Sequence, residues 1–286
     1  MVFGFFETHW SFDQIPDLTG KVAIVTGGNS GLGYITCLEL ARKNAKVYMA
    51  SRNKSKAEEA IIKIKEELTK SKKEGEGESD REPFIEFLEF DLSKLSSGKS
   101  TAEEFLKKEN RLDMLINNAG IMATPYELSP DGIELQACNG IGHYGLTVPL
   151  LDILKKTDKE EGSQNILFNN ELQRRLQDTN IHCLAVHPGV VDTDLFRGLE
   201  ESYPIIKPIL GLKSFLRGTV FLSPEQGTIT QLYAATSPEI TEKKLKGKYL
   251  VPYAQVQDPS VLAQDKENTL SLQFWSLCES LYESKI

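Results

Sequence analysis

Short runs of Val, Ile and Leu alternate along the N-terminal part of the chain with longer segments of helical periodicity. The runs have the length and composition of strands that are buried on both faces of a sheet. The segment 54–68 instead places Ala57, Ile61 and Ile64 on one helical face. This alternation predicts parallel strands joined by helical crossovers, and therefore a doubly wound, mostly parallel α/β sheet. The predicted strands are 21–26, 45–50, 84–90 and 112–117, and the predicted helices are 31–44, 54–68 and 101–108.

The alternation fails in the middle of the chain, where two predicted helices follow each other directly. Residues 132–156 predict one long helix and residues 165–177 predict another, with Phe168 and Leu172 four positions apart on one face. The segment between them, 157–164, is polar and predicts no strand. We therefore expect a sheet that lacks its fifth strand. Regular order resumes with predicted strands at 181–186 and 248–251 and a predicted helix at 224–235.

Composition excludes several classes of protein. The 286 residues include 33 basic and 41 acidic side chains, for a formal net charge of −8, which argues against nucleic acid as a partner. No apolar run approaches the roughly 18 residues that span a bilayer, and the apolar start lacks the basic residues of a secretory signal. Four widely spaced cysteines predict a reducing, cytoplasmic setting and no metal site. We expect one domain at 17–286, after an N-terminal extension at 1–16.

A glycine-rich turn follows the first predicted strand and opens the next helix, with the sequence TGGNSGLG at Thr26–Gly33. Glycine lets a backbone turn sharply and approach a pyrophosphate, and the N-terminus of the helix offers unpaired N–H groups to an anion. A strand before the turn and a helix after it are the context that a dinucleotide site requires. The expected phosphate-binding residues are Gly27, Asn29, Ser30, Gly31, Leu32 and Gly33.

Arg52 closes the second predicted strand, at the position that selects between the two nicotinamide dinucleotides. An acidic residue there would bind the ribose 2′-hydroxyl of NAD(H), whereas an arginine suits a 2′-phosphate through a charge-assisted pair. We therefore expect NADP(H) to be preferred over NAD(H). The alternative is a solvated surface arginine.

Two further motifs complete a pattern: NNAG at 117–120 and PGVVDT at 188–193. In this order, the three motifs resemble those of the short-chain dehydrogenase/reductases. Their details are most similar to the retinol-dehydrogenase-like and WW-domain-oxidoreductase-like branch, and within it to a fungal member. The resemblance runs from about Asp17 to the C-terminus and implies a Rossmann fold. It also implies roles for individual residues: Asp91 and Leu92 hold adenine; Asn118, Ala119 and Gly120 line the ribose and steady the central strand; Pro188, Gly189, Val191 and Thr193 form the nicotinamide side; and Asn139 is the catalytic asparagine.

The same resemblance exposes a gap in the chemistry. Family members use a tyrosine, a lysine four residues later and a serine at the end of the fifth strand for proton transfer to the substrate oxygen. No tyrosine occurs between Tyr144 and Pro188. The segment 162–168 looks like two ends closed over a deletion, in which Ser163 is a weak substitute for the serine. The sequence Tyr203-Pro-Ile-Ile-Lys207 has the right spacing, but it follows the nicotinamide-side motif and contains a proline, so we assign it to lid packing.

Three interpretations remain open at this stage. In the first, the chain is a shortened NADP(H)-dependent oxidoreductase of lipophilic alcohols, aldehydes or ketones that is inactive as written. In the second, it is a non-catalytic nucleotide-binding pseudoenzyme. In the third, it is an incomplete gene product with an omitted exon. The apolar segment 204–216, within an expected lid at about 195–222, predicts a cover for a lipophilic substrate. Contact with the surface of an internal membrane is the alternative for this segment. The sequence does not determine the oligomeric state.

Overall fold

A six-stranded parallel sheet forms the centre of the computed structural model, which describes residues 10–73, 82–160, 164–166, 169–193 and 221–286. The strands are β1 (Val22–Thr26), β2 (Lys46–Ser51), β3 (Ile85–Glu89), β4 (Met114–Ile116), β5 (Gln164–Ile166) and β6 (His182–Cys183). Their order across the sheet is β3-β2-β1-β4-β5-β6, and every neighbouring pair is parallel. The predicted doubly wound α/β sheet is confirmed.

Helices cover both faces of this sheet. Strand β1 alternates its side chains between two cores: Ala23 and Val25 belong to one apolar cluster, and Val22 and Ile24 belong to the other. Both faces are therefore dry, as the apolar strands predict. The helices are α1 (Gly31–Arg42), α2 (Lys54–Lys73), α3 (Leu95–Lys108), α4 (Cys138–Thr147), α5 (Leu151–Glu160), α6 (Asn169–Arg175), α7 (Pro224–Thr236), α8 (Glu239–Glu242), α9 (Val261–Gln264) and α10 (Thr269–Lys285).

The predicted strand at 181–186 is divided between two sheets. Its first part is β6, and its second part, β7 (Ala185–Val186), pairs in parallel with β8 (Tyr249–Val251). An antiparallel strand, β9 (Gln255–Gln257), completes this three-stranded sheet. Leu184 lies between the two parts and is fully buried, so the chain passes from one sheet to the other without leaving the core.

The expectation that the fifth strand is absent was wrong. Strand β5 lies between β4 and β6, with Leu115 opposite Asn165 and Gln164 opposite His182. The physical reason is backbone pairing, because a gap at this place would leave two buried strand edges without hydrogen-bond partners. The helix predicted at 165–177 consequently begins later, at Asn169.

Three other helix boundaries differ from the sequence pattern. The long helix predicted at 132–156 is interrupted by a 3₁₀ segment that contains Pro149, because proline cannot donate the helical hydrogen bond. The helix predicted at 101–108 begins at Leu95, and Gly98 within it lets α3 pass against the backbone of Gly145 in α4. The helix predicted at 54–68 extends to Lys73, and residues 74–81 lie outside the described part.

Part of the predicted N-terminal extension packs on the domain. The Trp10 ring meets Tyr233 edge-on at 5.7 Å, and Ile15 is buried in the same cluster. Among the described helices, none combines the length and the apolar character that crossing a bilayer requires. The predicted lid at about 195–222 lies outside the described residues, except for Phe221 and Leu222.

Candidate functional site

The glycine-rich turn has the backbone geometry that its sequence predicts. Gly27 and Gly31 have φ angles of +66° and +53°, in the left-handed region that favours glycine. A methyl group on Gly33 would lie 2.3 Å from the carbonyl oxygen of Gly27, so only glycine lets α1 start this close to the turn. The Gly27 N–H donates to the Ala50 carbonyl, which fixes the turn to β2.

The N-terminus of α1 is left open to an anion. Asn29 and Ser30 complete the turn, and the Ser30 side chain at the N-cap makes no capping hydrogen bond. The Tyr34 N–H donates to the Ser30 carbonyl, while the N–H groups of the first helical turn have no acceptor within the helix. These groups belong to Gly31, Leu32 and Gly33. A pyrophosphate fits this arrangement.

Arg52 and Asp91 leave neighbouring strands at the same edge of the sheet. The Phe90 N–H donates to the Ser51 carbonyl at 3.1 Å, so the residues that follow β2 and β3 lie side by side. Arg52 is exposed and forms no ion pair with any of the described residues. Its guanidinium is therefore available to a phosphate at the surface.

The residues predicted to hold adenine, Asp91 and Leu92, are held in place by local contacts. The Asp91 carboxylate accepts from the backbone N–H and the hydroxyl of Ser93 and lies 3.6 Å from the Lys94 ammonium. The Leu92 carbonyl packs against Gly142 of α4, where a methyl group would come within 2.3 Å of it. These contacts set the loop after β3 against the helix that carries Asn139.

Residues 118–120 are tied to the end of β1 through Thr26. The Asn118 side-chain amide donates to the Thr26 carbonyl at 2.8 Å, and the Ala119 N–H donates to the Thr26 hydroxyl at 2.9 Å. A methyl group on Gly120 would lie 3.5 Å from the Asn139 side-chain oxygen. The end of β4 therefore meets both the glycine-rich turn and α4.

Asn139 uses its side chain to hold the loop after β4. Its Oδ1 accepts from the Ile121 N–H at 3.0 Å and its Nδ2 donates to the Ile121 carbonyl at 2.8 Å. The predicted catalytic asparagine is thus brought beside Gly120, with its side-chain amide engaged on both sides.

The nicotinamide-side motif lies opposite the turn. A methyl group on Gly31 would lie 3.5 Å from Thr193 Cγ2, which places the end of this motif at the glycine-rich turn. Gly189, after Pro188, has φ +91°. Val191 pairs with Leu222 in a parallel bridge, which fixes the motif to the end of the predicted lid.

The sequence analysis did not reveal how His143 connects the parts of the site. His143 is buried, and burial lowers its pKa from 6.5 to about 4 despite a hydrogen bond to the Asn139 carbonyl that raises it. Its ring bridges that carbonyl and the Thr26 hydroxyl. The only signal in the sequence is the spacing of four residues from Asn139, which is one helical turn. His187 accepts from the Gly189 N–H.

Tyr144 does not replace the missing tyrosine. It is buried on the opposite side of α4, where its ring meets Trp275 and Tyr282 edge-on at 5.1 Å and 6.0 Å. Burial, first, and nearby Glu279 raise its pKa to about 12. Residue Ser163 and the Tyr203–Lys207 sequence lie outside the described residues.

Comparison with known proteins identifies the family. The family model for short chain dehydrogenases matches residues 21–163. An uncharacterized oxidoreductase of Schizosaccharomyces pombe is 37% identical, over 86% of this chain and 81% of the relative. Human retinol dehydrogenase 14 is 32% identical, over 91% of this chain and 85% of the relative. A crystal structure of an uncharacterized protein from Mycobacterium paratuberculosis shares 26% identity and superimposes with a TM-score of 0.68, covering 96% of this chain and 97% of that one.

This chain is shorter than its relatives within the aligned region. The S. pombe alignment spans 295 positions but takes in 86% of the 286 residues, about 246, so about 49 positions of the alignment face gaps in this chain. For the human protein, 301 positions take in 91%, about 260 residues, which leaves about 41 such positions. Both relatives therefore contain internal sequence that this chain lacks.

Motifs, fold and comparisons agree, and the chain belongs to the short-chain dehydrogenase/reductase family of nicotinamide-dependent oxidoreductases, in its retinol-dehydrogenase-like, fungal-type branch.

Proposed function

We propose that this chain is a shortened NADP(H)-dependent oxidoreductase that binds its dinucleotide but does not catalyse hydride transfer. One observation carries the proposal: no tyrosine with a lysine four residues later occurs between Asn139 and Pro188, where the family places its acid–base pair. The residues proposed to bind the dinucleotide lie before and after this segment in the sequence, and none of them lies within it. Binding and turnover should therefore separate.

The chain's own residues suit the binding half of this function. Gly27, Gly31 and Gly33 would receive the pyrophosphate at the open N-terminus of α1. Residues Asn118–Gly120 would line the ribose. When bound, the cofactor supplies or accepts hydride. The step that the chain would not support is proton transfer to or from the substrate oxygen, which a positioned acid–base group accelerates by about 10²–10⁴-fold.

The preference for NADP(H) rests on Arg52. Its guanidinium is exposed at the end of β2 and lies beside the loop that carries Asp91. A 2′-phosphate at this place would gain a charge-assisted, bidentate partner, whereas NAD(H) would offer the arginine only hydroxyl groups.

We assign the substrate to lipophilic alcohols, aldehydes or ketones. Met122 lies two residues after Gly120, Val190 lies within the nicotinamide-side motif, and both expose apolar side chains. The relation to human retinol dehydrogenase 14 supports the same class. We further propose a lid at about 195–222, contact with an internal membrane surface and a cytoplasmic location. The proposal holds for a monomer and for an oligomer.

The alternative is that the catalytic segment is encoded in the gene but omitted from this chain, so that the chain is an incomplete gene product. The family match ends at Ser163, inside the segment 162–168 that looks like a closed deletion. An omitted exon and a true pseudoenzyme both account for this, and genomic DNA distinguishes them. An in-frame stretch between the codons for Gln164 and Asn165 that encodes a strand, a serine and Tyr-x-x-x-Lys would establish the omission.

The decisive experiment compares two proteins. One is this chain, and the other carries the matching segment of the S. pombe relative between Gln164 and Asn165. NADPH and NADH binding is titrated by nucleotide fluorescence, and NADPH oxidation is followed with retinal and other hydrophobic aldehydes and ketones. We expect both proteins to bind NADPH and only the repaired one to turn over. Comparable turnover by the unrepaired chain, abolished by Tyr203→Phe, would refute the proposal, and so would a failure to bind either dinucleotide.

A further inference from the structure

A buried chain of hydrogen bonds connects three parts of the candidate site. The His143 Nδ1 lies 2.7 Å from the Asn139 carbonyl, and its Nε2 lies 2.9 Å from the Thr26 hydroxyl. The same hydroxyl accepts from the Ala119 N–H at 2.9 Å. Thr26 is fully buried and His143 is 1% exposed. The chain thus runs from α4, through the end of β1, to the loop after β4.

The partners fix the direction of every hydrogen bond in this chain. A carbonyl oxygen can only accept, so the His143 Nδ1 must carry a proton and donate to Asn139. In a neutral ring the Nε2 then accepts from the Thr26 hydroxyl, which lies 2.9 Å away and donates. That hydroxyl also lies 3.4 Å from the Ile116 carbonyl, a longer and weaker alternative. One tautomer therefore satisfies all three groups.

This arrangement connects segments that are far apart in sequence. Thr26 and His143 are separated by 117 positions, and Thr26 and Ala119 by 93. Each link joins one element to another across the carboxyl ends of β1 and β4. Without the imidazole, the buried Thr26 hydroxyl would keep only the longer contact to the Ile116 carbonyl, and the Asn139 carbonyl would lose its side-chain partner.

We propose that His143 is a positioning residue that fixes Asn139 and Ala119 relative to each other through Thr26, and so sets the shape of the nicotinamide–ribose half of the cofactor site. The inference rests on the proposed function, because it assumes that the site receives a dinucleotide. The adenosine half, at Arg52 and Asp91, has no member in this chain of hydrogen bonds. Loss of His143 should therefore affect the two halves of the ligand differently.

The test measures the affinities for NADPH and for adenosine 2′,5′-bisphosphate, which represents the adenosine half alone. His143→Leu and Thr26→Val should each weaken NADPH binding by about tenfold, the equivalent of one or two buried hydrogen bonds. Binding of the bisphosphate should change by less than about twofold in both variants. His143→Gln, whose amide can donate to Asn139 and accept from Thr26, should restore most of the NADPH affinity.

The matched control is Thr230→Val. Thr230 is also fully buried, and its hydroxyl donates to the Val251 carbonyl and accepts from the Ala254 N–H, but it lies outside this chain of hydrogen bonds. This variant should leave both affinities unchanged. Equal losses for both ligands, or no loss for NADPH, would overturn the inference. Failure of the unmodified chain to bind either ligand would instead overturn the proposed function.

A spectroscopic measurement tests the same inference without any ligand. The chain has four histidines, so ¹⁵N signals of the imidazole rings can be assigned to His143 by their loss in His143→Gln. We expect a neutral ring with the proton on Nδ1, and a displaced Nε2 signal in Thr26→Val. A proton on Nε2, or a ring signal that does not respond to Thr26→Val, would contradict the inference.

Discussion

Mild acid should destabilise the folded chain through His143. Burial lowers the pKa of this ring from 6.5 to about 4, and the hydrogen bond to the Asn139 carbonyl offsets only part of the effect. In the unfolded chain the ring is in water and titrates near its ordinary pKa. Between these two values the unfolded chain binds more protons than the folded one. The stability that depends on the neutral ring is therefore complete above pH 6.5 and is lost as the pH falls toward 4.

The size of this effect follows from the two pKa values. Each pH unit in the interval costs about 1.4 kcal/mol of the free energy of unfolding, so a change from pH 7 to pH 5 should cost about 2 kcal/mol through His143 alone. Whole domains are stable by only about 5–15 kcal/mol. With a urea slope near 3 kcal/mol per molar, the urea midpoint should fall by about 0.7 M.

Urea unfolding at pH 7, 6 and 5 measures the prediction, with His143→Gln as the matched variant. Carboxylates with shifted pKa values, such as the buried Glu39 and the arginine-paired Glu171, titrate in both proteins and cancel in the difference. We expect the variant to lose about 2 kcal/mol less than the unmodified chain between pH 7 and pH 5. Parallel losses in the two proteins would show that the folded state does not hold His143 neutral.

The remaining predictions concern the cofactor site and the polar segment 74–81. Arg52→Ala should weaken NADPH binding by about 1.5–3 kcal/mol and leave NADH binding nearly unchanged, because it removes a charge-assisted contact to the 2′-phosphate; equal affinities of the unmodified chain for the two dinucleotides would contradict this. Gly33→Ala should abolish dinucleotide binding in titrations, since its methyl group would lie 2.3 Å from the Gly27 carbonyl oxygen and displace the turn. Deletion of residues 74–81, which include no large apolar side chain, should leave the melting temperature nearly unchanged, because a doubling of the length of a connection costs only about 0.6 kcal/mol; a fall of many degrees would show that the segment packs on the domain.

Features that depend on neighbouring residues could be predicted from the sequence. The glycine-rich turn is a local device: a strand, three spaced glycines and the start of a helix together fix its backbone, and the φ angles of Gly27 and Gly31 agree with that reading. The position of Arg52 follows equally from the end of a strand of apolar residues. The two cores of β1 follow from its uninterrupted apolar run.

Features that depend on distant residues could not be predicted. No sequence pattern singles out His143, and only the fold reveals that its partners are Asn139, one helical turn away, and Thr26, at the end of β1. Pro149 was included in a long predicted helix, although proline has no N–H to donate and so favours an interruption such as the observed 3₁₀ segment. Periodicity describes which face of a segment is apolar, but not which other segment lies against it.

The fifth strand shows where the demands of folding and of catalysis separate. Helical periodicity over residues 165–177 competes here with the open edges of β4 and β6, and the sheet takes Gln164–Ile166 because buried backbone groups must be paired. Any three residues that can extend would satisfy that demand. Proton transfer instead requires a serine at the end of the strand and a Tyr–Lys pair on the next helix, and here the next helix, α6, contains neither a tyrosine nor a lysine. A sheet completed in this way keeps its parallel order and the edge that carries the glycine-rich turn, but pairing of the strand does not by itself supply acid–base residues.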